Sequence, residues 1–152
     1  MGKVLIAIAI IILVIIGGVF LYSKKFLPQS NASATIQGVT YHLLLTHDEK
    51  ERQIGLSGRD SLPKDQGMIF QFENPDYYGF WMKDMKFPID IIYIKDDKIV
   101  TIFPDVPSPQ SENDIPPVLR PSQPADTVLE INSGESQKNG FKIGDSVVFK
   151  GL

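Results

Sequence analysis

The sequence predicts a mainly β domain, a sandwich or a barrel, held behind a single N-terminal transmembrane helix. Three observations carry this reading. Short apolar segments with a period of two recur from Val39 to Phe149, and Gly, Asn, Asp and Pro interrupt them at short intervals. Val4 to Tyr22 contains no charged residue. The chain has 152 residues, 43% of them hydrophobic, which fits one globular domain with one appendage.

The appendage comes first. Val4 to Tyr22 is dominated by Ile, Val, Leu and Ala and shows no polar stripe, unlike a helix that packs on a core. As a helix it spans roughly 28 Å, close to the ~30 Å thickness of a bilayer's hydrocarbon. The run is longer than a secretory h-region, and Ala32-Ser33-Ala34, the nearest cleavage-like pattern, lies well beyond it. Residues 1–25 therefore read as an uncleaved signal-anchor, 26–34 as a polar linker and 35–152 as the folded domain. Lys3 and the amino terminus on one side nearly balance Lys24 and Lys25 on the other, so the short N-terminal tail decides the orientation and places the domain on the extracytoplasmic side.

Beyond the linker, Val39, Tyr41, Leu43 and Leu45 alternate with Thr40 and His42 as a half-buried strand does. Thr46-His47-Asp48-Glu49 reads as a capping box, with Thr46 as N-cap of a short helix that ends near Gly55. Pro63 to Gly67 is a loop. Met68, Phe70 and Phe72 restore the period of two, and Asn74-Pro75-Asp76 ends it. Strands are expected over Tyr78 to Lys83 and Ile89 to Lys95, with Asp96-Asp97 turning the second into Ile99 to Phe103 as a hairpin. Pro104 to Pro124 holds seven of the 11 prolines and should be a long irregular excursion. Thr127 to Ile131 is a strand, Gly134 to Gly140 a short turn or helix, and Ser146 to Phe149 the last strand.

Composition narrows the function classes. Setting aside Lys3, Lys24 and Lys25 leaves 12 of the 15 basic residues against 18 acidic ones, a formal charge of −6. Phosphate-backbone binding needs clustered Lys and Arg, so a nucleic-acid partner is not expected. Zero Cys excludes disulfides and thiol chemistry. His42 and His47 form neither a zinc-ligand set nor a triad, and no Gly-rich phosphate loop is present, so neither metal nor cofactor is expected. Gly55-Leu56-Ser57-Gly58-Arg59 has Arg59 where a nucleophile elbow needs its second Gly, and reads as a helix end and turn.

What remains is a set of ionisable residues in apolar surroundings. Asp90 shares a strand face with Ile92 and Ile94, and Glu130 follows Val128-Leu129. A carboxylate on an apolar face must find partners or neutralise. One reading is structural: a carboxylate bonded to backbone amides, or paired with Arg to fix a loop, with Arg52, Arg59, Lys83 and Arg120 as the available cations. The other makes Lys83, Asp84, Asp90 and Glu130 the polar lining of a pocket walled by Trp81. Phe80 and Met82 face one way and Trp81 and Lys83 the other, so one of these faces is core.

Arg52-x-x-Gly55-Leu56-x-x-Arg59, Gly67-Met68-Ile69-Phe70, Phe80-Trp81-Met82-Lys83, Pro88-Ile89-Asp90 and Val128-Leu129-Glu130, with Gly134 and Gly144-Asp145, occur in this order. From about Ile36 to Phe149 the chain resembles the domain-of-unknown-function 192 family. The resemblance implies a jelly-roll-like β-sandwich with one or two short helices, often exported behind a signal peptide or anchor in prokaryotes, and assigns no catalytic residue. The chain departs from the family pattern at Ser57, where Met is common, and at Asp84-Met85, where Asn-Thr is usual. The Pro-rich loop also lacks the Cys pair of some members.

Two functions follow from this reading. The first is a membrane-tethered binding or accessory module for envelope material, a glycan or a partner protein, using Arg52, Arg59, Trp81, Lys83, Asp84, Asp90 and Glu130. The second is a hydrolase or transferase on a glycan-type envelope substrate. It requires two of Asp84, Asp90 and Glu130 about 5–9 Å apart across a cleft.

Overall fold

The computed structural model describes residues 31–111 and 114–152. The expected membrane anchor and most of the linker lie outside the described residues. Among those described, no helix is long and apolar enough to cross a membrane.

In chain order the elements are β1 (Ser33–Ile36), β2 (Val39–Leu45), α1 (Glu49–Ile54), β3 (Gln66–Asp76), β4 (Ile89–Lys95), β5 (Lys98–Val106), β6 (Ala125–Asn132), α2 (Glu135–Lys138) and β7 (Val147–Lys150). The strands form one seven-stranded sheet in the order β5-β4-β6-β3-β2-β1-β7. Every neighbouring pair is antiparallel except β2 and β3. The sheet curls until its two ends touch. Ile99 N–H donates to the Asp145 carbonyl at 3.0 Å and Val147 N–H to the Asp97 carbonyl at 2.8 Å. The mainly β expectation is met, with one continuous curled sheet in place of a two-sheet sandwich. Strand twist drives such curling, and touching ends remove part of the exposed edge.

Curling divides the core in two. Ile36, Tyr41, Ile69, Ile92, Leu129 and Val147 belong to a cluster that draws on all seven strands, so it fills the inside of the curl. Met68, Phe70, Ile91, Tyr93 and Val128 form a second cluster on the outer face, covered by Leu56, Leu62, Met82 and Met85 from the loops. This explains the sequence of β4. Ile89 to Ile94 are all buried because both faces of this strand are covered. Each large apolar side chain buried in this way stabilises the fold by about 1.5–3 kcal/mol.

Several local expectations shift. The helix N-cap is Asp48, whose Oδ1 accepts from Glu51 N–H at 2.7 Å, while Glu51 Oε2 accepts from His47 N–H at 2.7 Å. Asp48 and Glu51 have the capping-box spacing, so they displace Thr46 and Glu49 from those roles. Thr46 instead donates its hydroxyl to the Ile69 carbonyl at 3.1 Å. Strand β3 continues through Pro75 because its ladder to β6 breaks register between Gln71 and Asp76, where no N–H is required. Tyr78 to Lys83 is not a strand. Only Phe80 pairs, with Leu119, and the backbone then turns through Asp84 at φ +57°. The hairpin at Asp96-Asp97 is present, both residues having positive φ as a two-residue turn of this kind requires. Strand β1 begins at Ser33, inside the stretch read as linker, because Ala32 and Ala34 are fully buried small residues on the inner cluster.

Candidate functional site

On the outer face a pocket of about 460 Å³ opens between α1, β3 and the Tyr78–Trp81 segment. Its walls are Arg52 and Glu49 from α1, Phe70 and Phe72 from β3, and Phe80 and Trp81 from the loop. Glu130 of β6 also lines it.

Each wall is fixed locally. Helix α1 stops at Gly55, which takes φ +52°; a Cβ there would stand 3.4 Å from the Phe70 ring, so the tight turn lets helix and ring approach closely. The following turn is tied to the loop by Gly58 N–H donating to the Asp84 carbonyl at 2.9 Å and Ser57 Oγ to the Lys83 carbonyl at 2.9 Å. Phe80 exchanges two backbone hydrogen bonds with Leu119, at 2.9 and 2.7 Å. Its ring stands edge-to-face on Phe70, centroids 4.9 Å apart, and on Tyr93 at 5.9 Å. The Tyr93 hydroxyl lies 3.0 Å from the Tyr78 carbonyl and 3.1 Å from that of Leu119, so one proton holds both loop segments. Burial raises the pKa of that phenol, which keeps it a donor.

Glu130 is the unusual member. It pairs across the ladder with Met68 on one side and Ile91 on the other, so its side chain shares their apolar face. The residue is 6% exposed, and its Oε2 is enclosed without a hydrogen-bond partner. Loss of hydration pushes its pKa up to about 8, so at neutral pH it holds its proton.

Asp90 has the opposite environment. It is adjacent to Ile91, so its side chain projects from the other face of the sheet, beside Ile92. Its Oδ1 accepts from the N–H groups of Asp105 and Gly134, each at 2.9 Å, and its Oδ2 from Ser136 N–H at 2.7 Å. Three amides, one from the end of β5 and two from the start of α2, converge on one carboxylate. Asp90 therefore locks the β5 end and the start of α2 to β4. Backbone amides, one of the two kinds of partner that a structural carboxylate here could take, hold Asp90, and among the described residues no Arg does.

The structure thus brings Arg52, Trp81 and Glu130 around one pocket. The Arg52 guanidinium lies 5.7 Å from the Phe72 ring centroid. Trp81 is 47% exposed, and Lys83 lies on its ring with Nζ 5.4 Å from the centroid. Lys83 and Asp84 line adjoining grooves that share Trp81 with this pocket. Arg59 lines a separate hollow with Leu43 and Met68, away from this pocket. Of the three carboxylates that the hydrolase expectation names, only Glu130 lines this pocket. The sequence reading missed Glu49 and the ring of Phe70. Glu49 and Arg52 stand three apart on α1, the spacing that sets two side chains on one helix face, and that signal was available.

The comparisons fit this architecture. The family model DUF192, described as Uncharacterized ACR, matches residues 32–149. A crystal structure of a protein of unknown function from Novosphingobium aromaticivorans DSM 12444 is 31% identical, with a TM-score of 0.67. The match covers 77% of this chain and 82% of that one. A Sinorhizobium meliloti 1021 protein, named as a proposed transcription regulator, is 28% identical with a TM-score of 0.66. That match covers 84% of this chain and 100% of that one. No curated protein matches the chain. With a family match across the sheet, the helices and the pocket-bearing loops, the chain belongs to the DUF192 family of uncharacterised proteins.

Proposed function

We propose that this domain is a non-enzymatic binding module, tethered to the membrane through residues 4–22 and facing the extracytoplasmic side. Its ligand, envelope material or part of a partner, enters the pocket beside Trp81. One observation carries the reading: Glu130 lines an open pocket, yet its carboxyl receives no hydrogen bond from the protein. Buried polar atoms are paired in folded proteins, and a persistent exception at the floor of an aromatic cleft is where a ligand completes the set.

The alternative, a hydrolase or transferase on a glycan-type substrate, draws less support. The Asp90 carboxylate is taken up by three backbone amides, and Asp84 lines adjoining grooves and not this pocket. The regulator name of the Sinorhizobium relative does not carry over, because the charge of −6 beyond the anchor opposes binding to phosphates.

A thermal-shift screen of the full chain in detergent, using envelope glycans and small metabolites, tests the proposal. A true ligand raises the melting temperature of the parent protein and loses most of that shift with Trp81→Ala. Hits that shift parent and variant equally would reject this pocket as the binding site.

A further inference from the structure

The pocket's chemistry says what class of ligand it takes; this step rests on the binding reading above. Five of its lining residues are aromatic, Phe70, Phe72, Tyr78, Phe80 and Trp81. Ring faces carry negative potential and attract cations. Two of these rings already draw the protein's own cations, Arg52 to Phe72 and Lys83 to Trp81. Two carboxyl groups line it, Glu49 at the helix and Glu130 at the floor, against the single basic residue Arg52, and Glu130 adds negative charge once its proton leaves. The domain as a whole carries excess negative charge.

We infer that the pocket takes an organic cation, a primary amine on a small apolar or aromatic body, with its ammonium on Glu130 and its body against Phe70, Phe80 and Trp81. An ammonium supplies the donors that the Glu130 carboxyl lacks, and the rings receive the rest of the charge. A ligand carboxylate would meet the negative ring faces and could only share the proton that Glu130 already holds, releasing none to the buffer. A neutral hydroxyl could bond Glu130 but would gain nothing from the rings' field. The volume of about 460 Å³ lies within the range of small-molecule sites.

The proton balance gives the inference a signature. In the empty pocket Glu130 keeps its proton at neutral pH, since burial holds its pKa near 8. Pairing with an ammonium requires the carboxylate, so the proton leaves Glu130 for the buffer as the amine binds. At pH 7 about nine-tenths of a proton should be released per amine bound. Apparent affinity should rise about tenfold per pH unit up to the pKa of Glu130 and level off above it.

The test uses calorimetry on the full chain with 3-phenylpropylamine, 3-phenylpropanol and 3-phenylpropionate, in phosphate and in Tris. The expected result is binding of the amine at least about tenfold tighter than either isostere, with proton release visible as a buffer-dependent heat. Glu130→Gln, confirmed folded by its melting temperature, should lose both the preference and the proton release. Equal binding of the alcohol or the carboxylate overturns the cation assignment while leaving the pocket a ligand site. Amine binding without proton release also overturns it. If none of the three binds at millimolar concentration, the cation assignment fails, and the Trp81→Ala screen decides separately whether the pocket binds anything.

Discussion

Asp90 and Glu130 occupy neighbouring strands, offset by one residue in register, and both are buried. Asp90 points into the loops that close one end of the curl and accepts three backbone N–H groups. Glu130 points to the other face, among Met68, Ile91 and the pocket aromatics, and accepts none. Burial alone therefore does not tell these two carboxyls apart. What separates them is whether the protein supplies hydrogen-bond donors. Where it does, the carboxylate fastens the end of β5 and the start of α2 to β4; where it does not, burial holds the carboxyl in its neutral form.

That contrast can be broken most forcefully at Asp90. Asp90→Asn keeps the shape but removes the charge and turns an NH₂ toward an amide that needs an acceptor. With charge-assisted hydrogen bonds worth about 1.5–3 kcal/mol each, the loss should be about 4 kcal/mol. Denaturant unfolding at pH 7 measures it, and a loss under about 1 kcal/mol would contradict the locking role.

Glu130 should behave in the opposite sense, with pH. Its folded pKa, about 8, is raised above the ordinary carboxyl value of 4.5, so the folded state holds a proton that the unfolded chain gives up between these values. The stability contributed by the protonated form is complete below about pH 4.5 and is lost as pH rises toward 8. Between pH 5 and pH 7 the parent should lose roughly 2–3 kcal/mol from this group, and Glu130→Gln should lack that slope. Parallel pH profiles for parent and variant would show that the carboxyl is not kept neutral by burial.

The smallest effect sharpens the Asp90 side. Gly134 donates to Asp90 from a left-handed conformation at φ +80°. Gly134→Ala should cost about 1 kcal/mol, the strain of placing a Cβ there, with no change in ligand binding at the other face. A matching loss of ligand affinity would mean that the two faces are coupled.

Much of the fold was legible because its signals are local. Period-two spacing marks β2 and the first half of β3, Asp96-Asp97 marks the hairpin, and Gly134 to Gly140 marks α2. What was not legible depends on long-range partners. Tyr78 to Lys83 carries strand-like alternation, yet its neighbours in space are the Ser57-Gly58 turn and Leu119, which offer single bonds and no ladder. The curl of the sheet is decided by contacts between residues 97–99 and 144–147, far apart in sequence. At the site, Glu130 and Trp81 stood out as isolated features of the sequence. Nothing in the spacing of Asp90 reveals that Asp105, Gly134 and Ser136 will turn their amides toward it.

Asp84 illustrates how a structure reassigns meaning. Its replacement of the family's usual Asn reads from sequence as an added charge beside Lys83. The backbone there has φ +57°, a conformation that Asn and Asp tolerate better than other side chains. Asp at this position therefore meets a backbone demand of the turn as well as carrying a charge.

The placement of β1 has a mechanical consequence. This short first strand lies between β2 and β7, bonded to both, and its Ser33 end is met by Lys150 from the last strand and His42 from the second. Any tension arriving along the chain from the N-terminal side therefore loads two antiparallel ladders in shear together. Strand β7 touches the rest of the sheet mainly through β1, so a pull that extracted β1 would strip away the C-terminal strand with it. The domain is fastened where a pull from the N-terminal side reaches the sheet.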